Sequence, residues 1–430
     1  MQTLRILLFI TSMLVLGWLT SCSPPPELQL RDEVLLEKVQ HQTFKYFFDF
    51  AHPVSGMARE RNTSGDVVTS GGSGFGLMAL VVGMERGFIT REEGLAQIEK
   101  VLGFLESCDR FHGTWPHWLN GETGEVVPFS QKDNGADLVE TAFLVQGLIT
   151  VRQYLLKIRP ATTELPDRIT ALWEDVEWNW FTRGGEKVLY WHWSPEFDWE
   201  MDMPIRGHNE TLITYVLAAS SPSYSVDSSV YHAGYARNGE IVNGSTFYEL
   251  KLPLGEDYGG PLFFAHYSFL GLDPRNLEDR YANYWEQTVN HTLINRAYCM
   301  ENPKGYKGYG KNCWGLTASD NQGGYSAHSP TNDLGVITPS AAISSMPYTP
   351  EYSIQTLRHF YYEYGDSLWG IYGFHDAFNV SENWWANSYL AIDQGPIIIM
   401  IENYRTGLLW DLFMSAPEIQ LGLTKLGFDY

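Results

Sequence analysis

Four carboxylates in this sequence stand where acid–base chemistry could be done. In "MPIRGHNETLITYVLAAS", Arg206, His208 and Glu210 crowd together just before an apolar stretch of helical spacing. Asn209 is a natural N-cap there, which places Glu210 at the first helical position, where the helix dipole already favours an acid. A guanidinium, an imidazole and a carboxyl together are more than a cap needs, and such neighbours can set a carboxyl pKa for general-acid work. In "YLAIDQGPIIIMIENY", Asp393 lies between apolar runs, and a buried charge is costly unless it is paired, capped or used. Pro396 suits only the first turn of a helix. Asp393 is therefore expected at an N-cap, with Gln394 and Gly395 in a tight turn. In "DNGADLVETAFL", Asp137 and Glu140 are three apart and share one face of an opening helical turn. Simple capping, with Asn134 and Asp137 as a loose box, accounts for that pair as well. Glycoside hydrolysis requires two carboxyl groups in different roles across one bond. Glu210 and Asp393 are far apart in the chain and can meet only through the fold.

Aromatic residues make up 14% of the 430, with 15 Trp, and many fall in polar loops such as "GTWPHWLNGETG", "YWHWSPEFDW" and "ENWWANS". Sugar rings have apolar faces that stack on indoles, while their hydroxyls need polar partners. Most Trp are expected to fill the core. Those beside Gly, Pro, Asn and Asp (Trp115, Trp118, Trp191, Trp193 and Trp385) are the candidate sugar platforms. His117, Arg206, His208, Asn209 and Gln394 are candidate partners for hydroxyls.

Helices must carry these groups. "GLAQIEKVLGFLES" puts Leu95, Ile98, Val101, Leu102 and Leu105 on one face. Similar spacing recurs in "DLVETAFLVQGLITVRQYLLKI", "PDRITALWEDVEW", "NETLITYVLAAS", "RNLEDRYANYWEQTVNHT" and "PEYSIQTLRHFYYEYG". One stretch, "WNWFTRGGEKVLYWHWS", alternates around Gly184 and Gly185 and predicts a β-hairpin at the cleft rim. The longest loop, "NPKGYKGYGKNCWGLTASDNQGGYSAHSPTND", is of a length that is usually functional. About a dozen helices in one domain over residues 31–430 predict an all-α double ring, the (α/α)6 toroid, with chemistry on its loops. An α-solenoid competes, but the segments lack a fixed-period repeat.

The net charge of −22 argues against nucleic acid, anionic membranes and acidic substrates, and a neutral ligand fits better. "MQTLRILLFITSMLVLGWLTSC" predicts an export signal over residues 1–21, with "LTSC" resembling a lipobox that would lipidate Cys22. Residues 22–30, with "SPPPE", read as a stiff tether. That address is the cell envelope, with membrane contact only through the lipid. Three other cysteines, Cys108, Cys299 and Cys313, form no CxxC, and the histidines show no HExxH spacing. No cofactor or catalytic metal is expected, and whether Cys299 and Cys313 pair is left open.

"SGGSGFGLMALVVGMERGFITREEG", "GTWPHWLNGETGE", "DNGADLVETAFLVQGLI", "RGHNETLITYVLAASSP", "GGPLFFAHYSFLGLDPR" and "NSYLAIDQGPIIIMIENYRTGLLWDLFM" occur in that order. Together they resemble bacterial glycoside hydrolase family 144, whose domain carries a glucoamylase-type label. The resemblance implies an (α/α)6 barrel and metal-free, inverting hydrolysis of β-1,2-glucan, either within the chain or by release of the disaccharide sophorose from an end. Carried over, Glu210 in "GHNE" matches the general acid. Asp393 in "AIDQGP" matches the residue that activates water, and Asp137 and Glu140 in "DLVE" match acids required for activity. "GSGFG" is richer in glycine than the family pattern, and "SPSYSVDSSVYHAGYARNGE" is unusual in composition. These loops border the cleft and leave endo against exo action open, while "SPPP" after Cys22 departs from the acidic surface-export pattern. A monomer acting on a neutral glucan is the leading expectation. An α-glucan glucoamylase and a non-catalytic glycan-binding lipoprotein are the alternatives.

Overall fold

A computed structural model describes residues 29–430. The signal segment, Cys22 and most of the tether lie outside the described residues. Among these, twelve helices of six or more residues follow one another. They are α1 (Asp32–Phe48), α2 (Ser70–Arg86), α3 (Arg91–Leu105), α4 (Leu138–Ile158), α5 (Glu164–Glu174), α6 (Leu212–Ser220), α7 (Tyr284–Glu301), α8 (Pro339–Ser344), α9 (Pro350–Glu363), α10 (Ala391–Thr406), α11 (Leu408–Met414) and α12 (Pro417–Leu426).

They build two concentric rings. The inner ring runs α2, α4, α6, a pair of 3-10 turns (Leu262–Ala265 and Tyr267–Leu270), α8 and α10, and α10 closes on α2. The 3-10 pair is tied to the end of α8 by His266 Nε2 and Ser345 Oγ at 3.0 Å and by Tyr348, whose hydroxyl donates to the Ala265 carbonyl at 2.9 Å. Each inner station is backed by an outer helix: α3 on α2, α5 on α4, α12 on α6, α7 on the 3-10 pair, α9 on α8 and α1 on α10. Sequence character follows position. α6 and α8 are buried along their whole lengths, so they are apolar or small all round. Outer α3 is amphipathic, buries the five residues its spacing marks, and starts on a Thr90/Glu93 capping box.

The glycines of α2 are a packing device. Glycine weakens a helix by about 1 kcal/mol per residue, yet α2 begins "SGGSGFG". A Cβ on Gly74 would fall on the carbonyl of Phe143, and one on Gly147 on the carbonyl of Gly74. α2 and α4 therefore cross with their backbones in contact, which only glycine permits.

The hairpin expected around Gly184 and Gly185 does not form. Trp178–Thr182 is a 3-10 turn with Trp178 and Phe181 in the core, and the backbone N–H of Tyr190 donates to the Phe181 carbonyl at 2.8 Å. His192–Trp193 pairs instead with Ala136–Asp137, just ahead of α4. Burial of the aromatic residues outweighs local alternation here. A hairpin is present in the longest loop, where Ala318–Asn321 pairs with Gly324–Ala327. Near it, Val67–Thr69, Trp118–Asn120 and Val126–Val127 form a three-stranded antiparallel sheet. Cys299 and Cys313 share one core cluster as free thiols, as is Cys108 elsewhere, so the open pairing is not made.

Candidate active site

The candidate acids cluster where inner helices begin. Asp137 is the N-cap of α4: its Oδ1 accepts from the backbone N–H of Val139 at 3.0 Å and of Glu140 at 2.9 Å. Its Oδ2 lies 3.0 Å from His117 Nδ1 and 3.7 Å from His192 Nε2, which is 3.4 Å from Asp133 Oδ2. Burial works against charge on Asp137, but the hydrogen bond from His117 and the nearby His192 outweigh it and hold the carboxyl below its usual range. Burial also pulls His117 down, yet the charges of Glu140, Asp137 and Asp133 push the imidazole up to about 9. Asp133 is pushed up to about 7 by burial and then by the charge of Asp137. The capping reading of Asp137 and the chemical one are thus both realised, one oxygen for each.

Glu140 points the other way, onto the start of α2. Its Oε2 accepts from Gly71 N–H at 2.8 Å and lies 3.4 Å from Thr69 Oγ1. Burial raises its carboxyl above the usual range. Glu210 is half-buried in the turn before α6. The helix starts slightly later than the sequence suggests, because Asn209 Oδ1 takes Thr211 N–H at 3.0 Å and Thr211 Oγ1 at 2.6 Å. Ser268 fixes the turn by donating to the Glu210 carbonyl while its Oγ accepts from Ile213 N–H at 3.0 Å. Burial pushes the Glu210 carboxyl up to about 7, opposed by a hydrogen bond from its own backbone amide and reinforced by Glu140 and Asp137.

Asp393 is the third residue of α10 rather than its N-cap, and Gln394 and Gly395 continue the helix instead of turning. Pro396 is the sixth residue of α10, past the first four whose N–H groups have no helical partner, so it sits inside the helix and removes one hydrogen bond from it. Asp393 is buried and accepts from Ser340 Oγ, on α8, at 2.9 Å. Burial pushes it up to about 7, against hydrogen bonds from Ser340 and Asp376. Tyr267 is under the influence of the acids: burial raises its phenol, and the charges of Asp393, Glu210 and Glu140 raise it further. One hydroxyl therefore feels three acids drawn from α4, the turn before α6, and α10.

Three cavities are lined by neighbours of these acids rather than by the acids themselves. One of about 330 Å³ is lined by Arg61, Thr69, His117, Trp118, Phe129 and Tyr325, with Leu390 and Ile392 below. It shares Arg61 and Tyr325 with one of about 490 Å³ lined also by Asp320, Trp384, Trp385, Asn387 and Ser388. A third, of about 360 Å³, is lined by Arg206, His208, Asn209, Arg237, Glu256 and Phe264. Tyr325 is 50% exposed and Phe129 is 51% exposed, so both rings face the open cleft. Phe129 also packs on His117, with ring centroids 4.4 Å apart.

Of the expected contact residues, His117, Trp118 and Trp385 line the first two cavities, and Arg206, His208 and Asn209 the third. His208 is buried, 3.3 Å from the Tyr235 hydroxyl, with its imidazole pulled down to about 3 by burial. Two expectations are corrected and two are moved aside. Trp115 is fully buried and donates to the Leu105 carbonyl at 3.3 Å, so it is core. Gln394 is buried with its amide on the Phe374 carbonyl at 3.0 Å, so it braces α10 and does not face the cleft. Trp193 packs perpendicular to His112 at 5.0 Å and lines none of the three cavities. Trp191 stacks on His192 and steadies that ring from behind. Sequence reading missed Arg61, Phe129, Asp133, Tyr325 and Asp376. Asp376 carries the signal that singled out Asp393, a carboxylate inside an apolar run ("GFHDAFN"). Arg61 carries none.

Among the described residues, His117, Asp133 and Asp137 bring ligand atoms within 4.8 Å of one another, a spacing a metal could use. His117 Nδ1 is already paired with Asp137 Oδ2 at 3.0 Å, while the imidazole between Asp133 and Asp137 is that of His192, at 3.4 and 3.7 Å.

The site is thus a cleft of open aromatic rings beside acids at the starts of inner helices in an (α/α)6 toroid. The chain belongs to the family described as "Glycoamylase: Putative glucoamylase", which residues 202–417 match. It is 46% identical over 420 residues to the exo beta-1,2-glucooligosaccharide sophorohydrolase (non-reducing end) of Parabacteroides distasonis, across 92% of this chain. The chain spans 58% of the length of that relative. A structure of a glucoamylase-type protein from Bacteroides uniformis is 60% identical, with a TM-score of 0.91 over 93% of this chain and 98% of the other. The endo-beta-1,2-glucanase from Chitinophaga pinensis, in complex with sophorotriose and glucose, is 56% identical, with a TM-score of 0.91 over 94% and 99%.

Proposed function

We propose that this protein is an inverting glycoside hydrolase acting on neutral β-1,2-glucan. The supporting relatives carry names for β-1,2-glucan cleavage, one endo and one exo with release of sophorose. The observation that carries the mechanism is Glu210: a half-buried carboxyl pushed up to about 7, under the influence of Glu140 and Asp137, and directly following His208 and Asn209, which line a cavity of about 360 Å³. At neutral pH a large share of it holds the proton a leaving alkoxide requires.

In this reading a water oxygen bonds to the anomeric carbon as the glycosidic C–O bond breaks. Glu210 gives its proton to the departing oxygen. Asp393 takes the proton of the water, directly or through a substrate hydroxyl, and solvent restores both groups. Inversion leaves roughly 6.5–9.5 Å or more between the two carboxyls for that water. Asp137 and Glu140, held by helix N-termini, fix sugar hydroxyls around the scissile bond. Trp118, Phe129, Tyr325 and Trp385 offer ring faces.

The test is product analysis on a panel of glucans of defined linkage, with the anomer of the first product read by NMR. Release of α-anomeric product from β-1,2-glucan supports the reading. Cleavage only of α-glucans would replace it with the glucoamylase alternative, and binding without cleavage with the glycan-binding one. Glu210→Gln and Asp393→Asn should each lower the rate by about 10²–10⁴-fold while glucan binding persists.

We also propose that residues 31–430 act as one monomeric hydrolase domain, anchored in the cell envelope by lipid on Cys22 after removal of residues 1–21. Labelling by a fatty-acid analogue should disappear in Cys22→Ala, and unchanged labelling would refute the anchor.

A further inference from the structure

Asp393 does not stand alone. Asp376, in the segment between Gly373–Phe374 and Phe378–Asn379, is 2% exposed, as is Asp393. Its backbone N–H donates to the Ser388 carbonyl at 2.9 Å, and its Oδ2 accepts from Asp320 N–H at 2.7 Å. Its backbone and one carboxyl oxygen are therefore both held. One oxygen of each carboxyl, Asp376 Oδ1 and Asp393 Oδ2, is buried and meets no N–H or hydroxyl donor. The two carboxyls lie close enough to influence each other directly, and these unpartnered oxygens are the ones free to form a hydrogen bond between them. Two carboxylates can make that bond only if a proton lies between them, because each is otherwise an acceptor alone.

The cation that acts on Asp393 is already shared with other carboxylates. Arg61 is the nearby guanidinium, and it is engaged by Glu60 at 2.9 Å and by both oxygens of Asp320 at 3.2 Å. Asp320 also accepts from Ser388 Oγ at 2.6 Å. The other groups facing the pair are neutral hydroxyls: Ser340 on α8, Tyr267 on the 3-10 turn and Tyr325 on the hairpin.

We propose that Asp376 and Asp393 share one proton, with Asp376 holding it and donating to Asp393, so that Asp376 is the positioning residue that keeps Asp393 ionised and aimed as the base. The inference rests on the reading of Asp393 as the base. Burial, then the charges of Asp393 and Asp320, drives Asp376 well above its usual range, which agrees with Asp376 as the protonated partner. The pair titrates as a unit, in the manner of other buried carboxyl dyads.

Asp376→Ala removes the donor and leaves Asp393 with Ser340 alone. The acid limb of kcat/KM should move up by about one pH unit, and kcat should fall by about 10- to 100-fold with KM within about twofold. Asp376→Asn presents an amide N–H to Asp393 and a carbonyl to Asp320 N–H, so it mimics the protonated carboxyl and should restore the wild-type limb. An unmoved limb in Asp376→Ala, or equal shifts in both variants, would overturn the inference. Infrared spectra give a second reading that depends on neither Asp376→Ala folding nor on activity. At about pH 8 the wild type should show a protonated-carboxyl band that Asp376→Asn lacks; a band unchanged by the substitution would sink the shared proton. Asp393→Asn measured alongside separates the two ideas. Near wild-type activity there would refute Asp393 as base, whereas an inactive Asp393→Asn with an unmoved Asp376→Ala limb refutes only the dyad.

Discussion

Glu140 and Gly71 meet at 2.8 Å, the carboxylate of one inner helix accepting the N–H at the start of the next. A Cβ on Gly71 would press on Glu140 Oε2 and on the ring of Phe143. The glycine is thus the seat of an acid as well as a helix residue. Gly71→Ala should displace Glu140 and lower kcat/KM by up to ~10²-fold, the scale of an ångström-level misplacement of a positioning group. Steady-state kinetics beside a melting curve would check it. Full activity would mean that the position of Glu140 does not matter.

Gly74→Ala probes the same crossing away from the acids. Its methyl would strike the backbone of Phe143 and Leu144, and overpacking of this kind costs about 1–3 kcal/mol. Urea denaturation should show the loss of stability. Kinetics of the remaining folded fraction should stay closer to wild type than in Gly71→Ala.

The double ring was legible because its helices are periodic and their loops are marked by Gly, Asn and Pro. The helix-start acids were legible because Asp137, Glu140 and Glu210 each precede an apolar run. Two expectations failed for one reason: tertiary packing overrode a local pattern. Trp115 lies beside Pro116 in a polar loop, yet its indole is drawn into the core. The alternation at Gly184 and Gly185 gave way because Trp178 and Phe181 gain more by burial than by pairing. Asp393 was found but misplaced, since local sequence does not distinguish the first helical residues from the cap. Arg61 was out of reach, because only the pairing of its loop with Leu390 brings it to the site.

Tyr325 should matter for binding more than for chemistry. It comes from the hairpin, lines two cavities and keeps half its surface open. Loss of a stacking face worth about 1–2 kcal/mol corresponds to roughly a 5- to 30-fold rise in KM. Tyr325→Ala should show that rise with kcat within about threefold, and Tyr325→Phe should restore most of it. An unchanged KM would remove Tyr325 from the substrate path.

The pH dependence follows from two carboxyls pushed to about 7 but needed in opposite states. Activity should fall as pH drops through the value of Asp393, which must be ionised. It should also fall as pH rises through that of Glu210, which must be protonated. The kcat/KM profile should be a narrow bell centred near neutrality. A broad plateau down to about pH 5 would show that Asp393 is not the limiting base, because an ordinary exposed carboxyl would titrate lower.

Stability should carry the mark of Glu210 with a definite sign. Its folded value of about 7 lies above the unfolded value of 4.5. Below pH 4.5 the group is neutral in both states and costs nothing. Between 4.5 and 7 the unfolded chain gives up the proton while the folded protein retains it, so a penalty builds with pH and is complete above 7. Gln carries no such proton. Glu210→Gln should therefore stabilise the protein at about pH 8 by on the order of 2 kcal/mol, and by little at about pH 4. Thermal melts of both proteins at the two pH values provide the check. A gain of equal size at both, or a loss at pH 8, would mean that the folded site does not disfavour the charged form of Glu210, and the general-acid role would lose its physical basis.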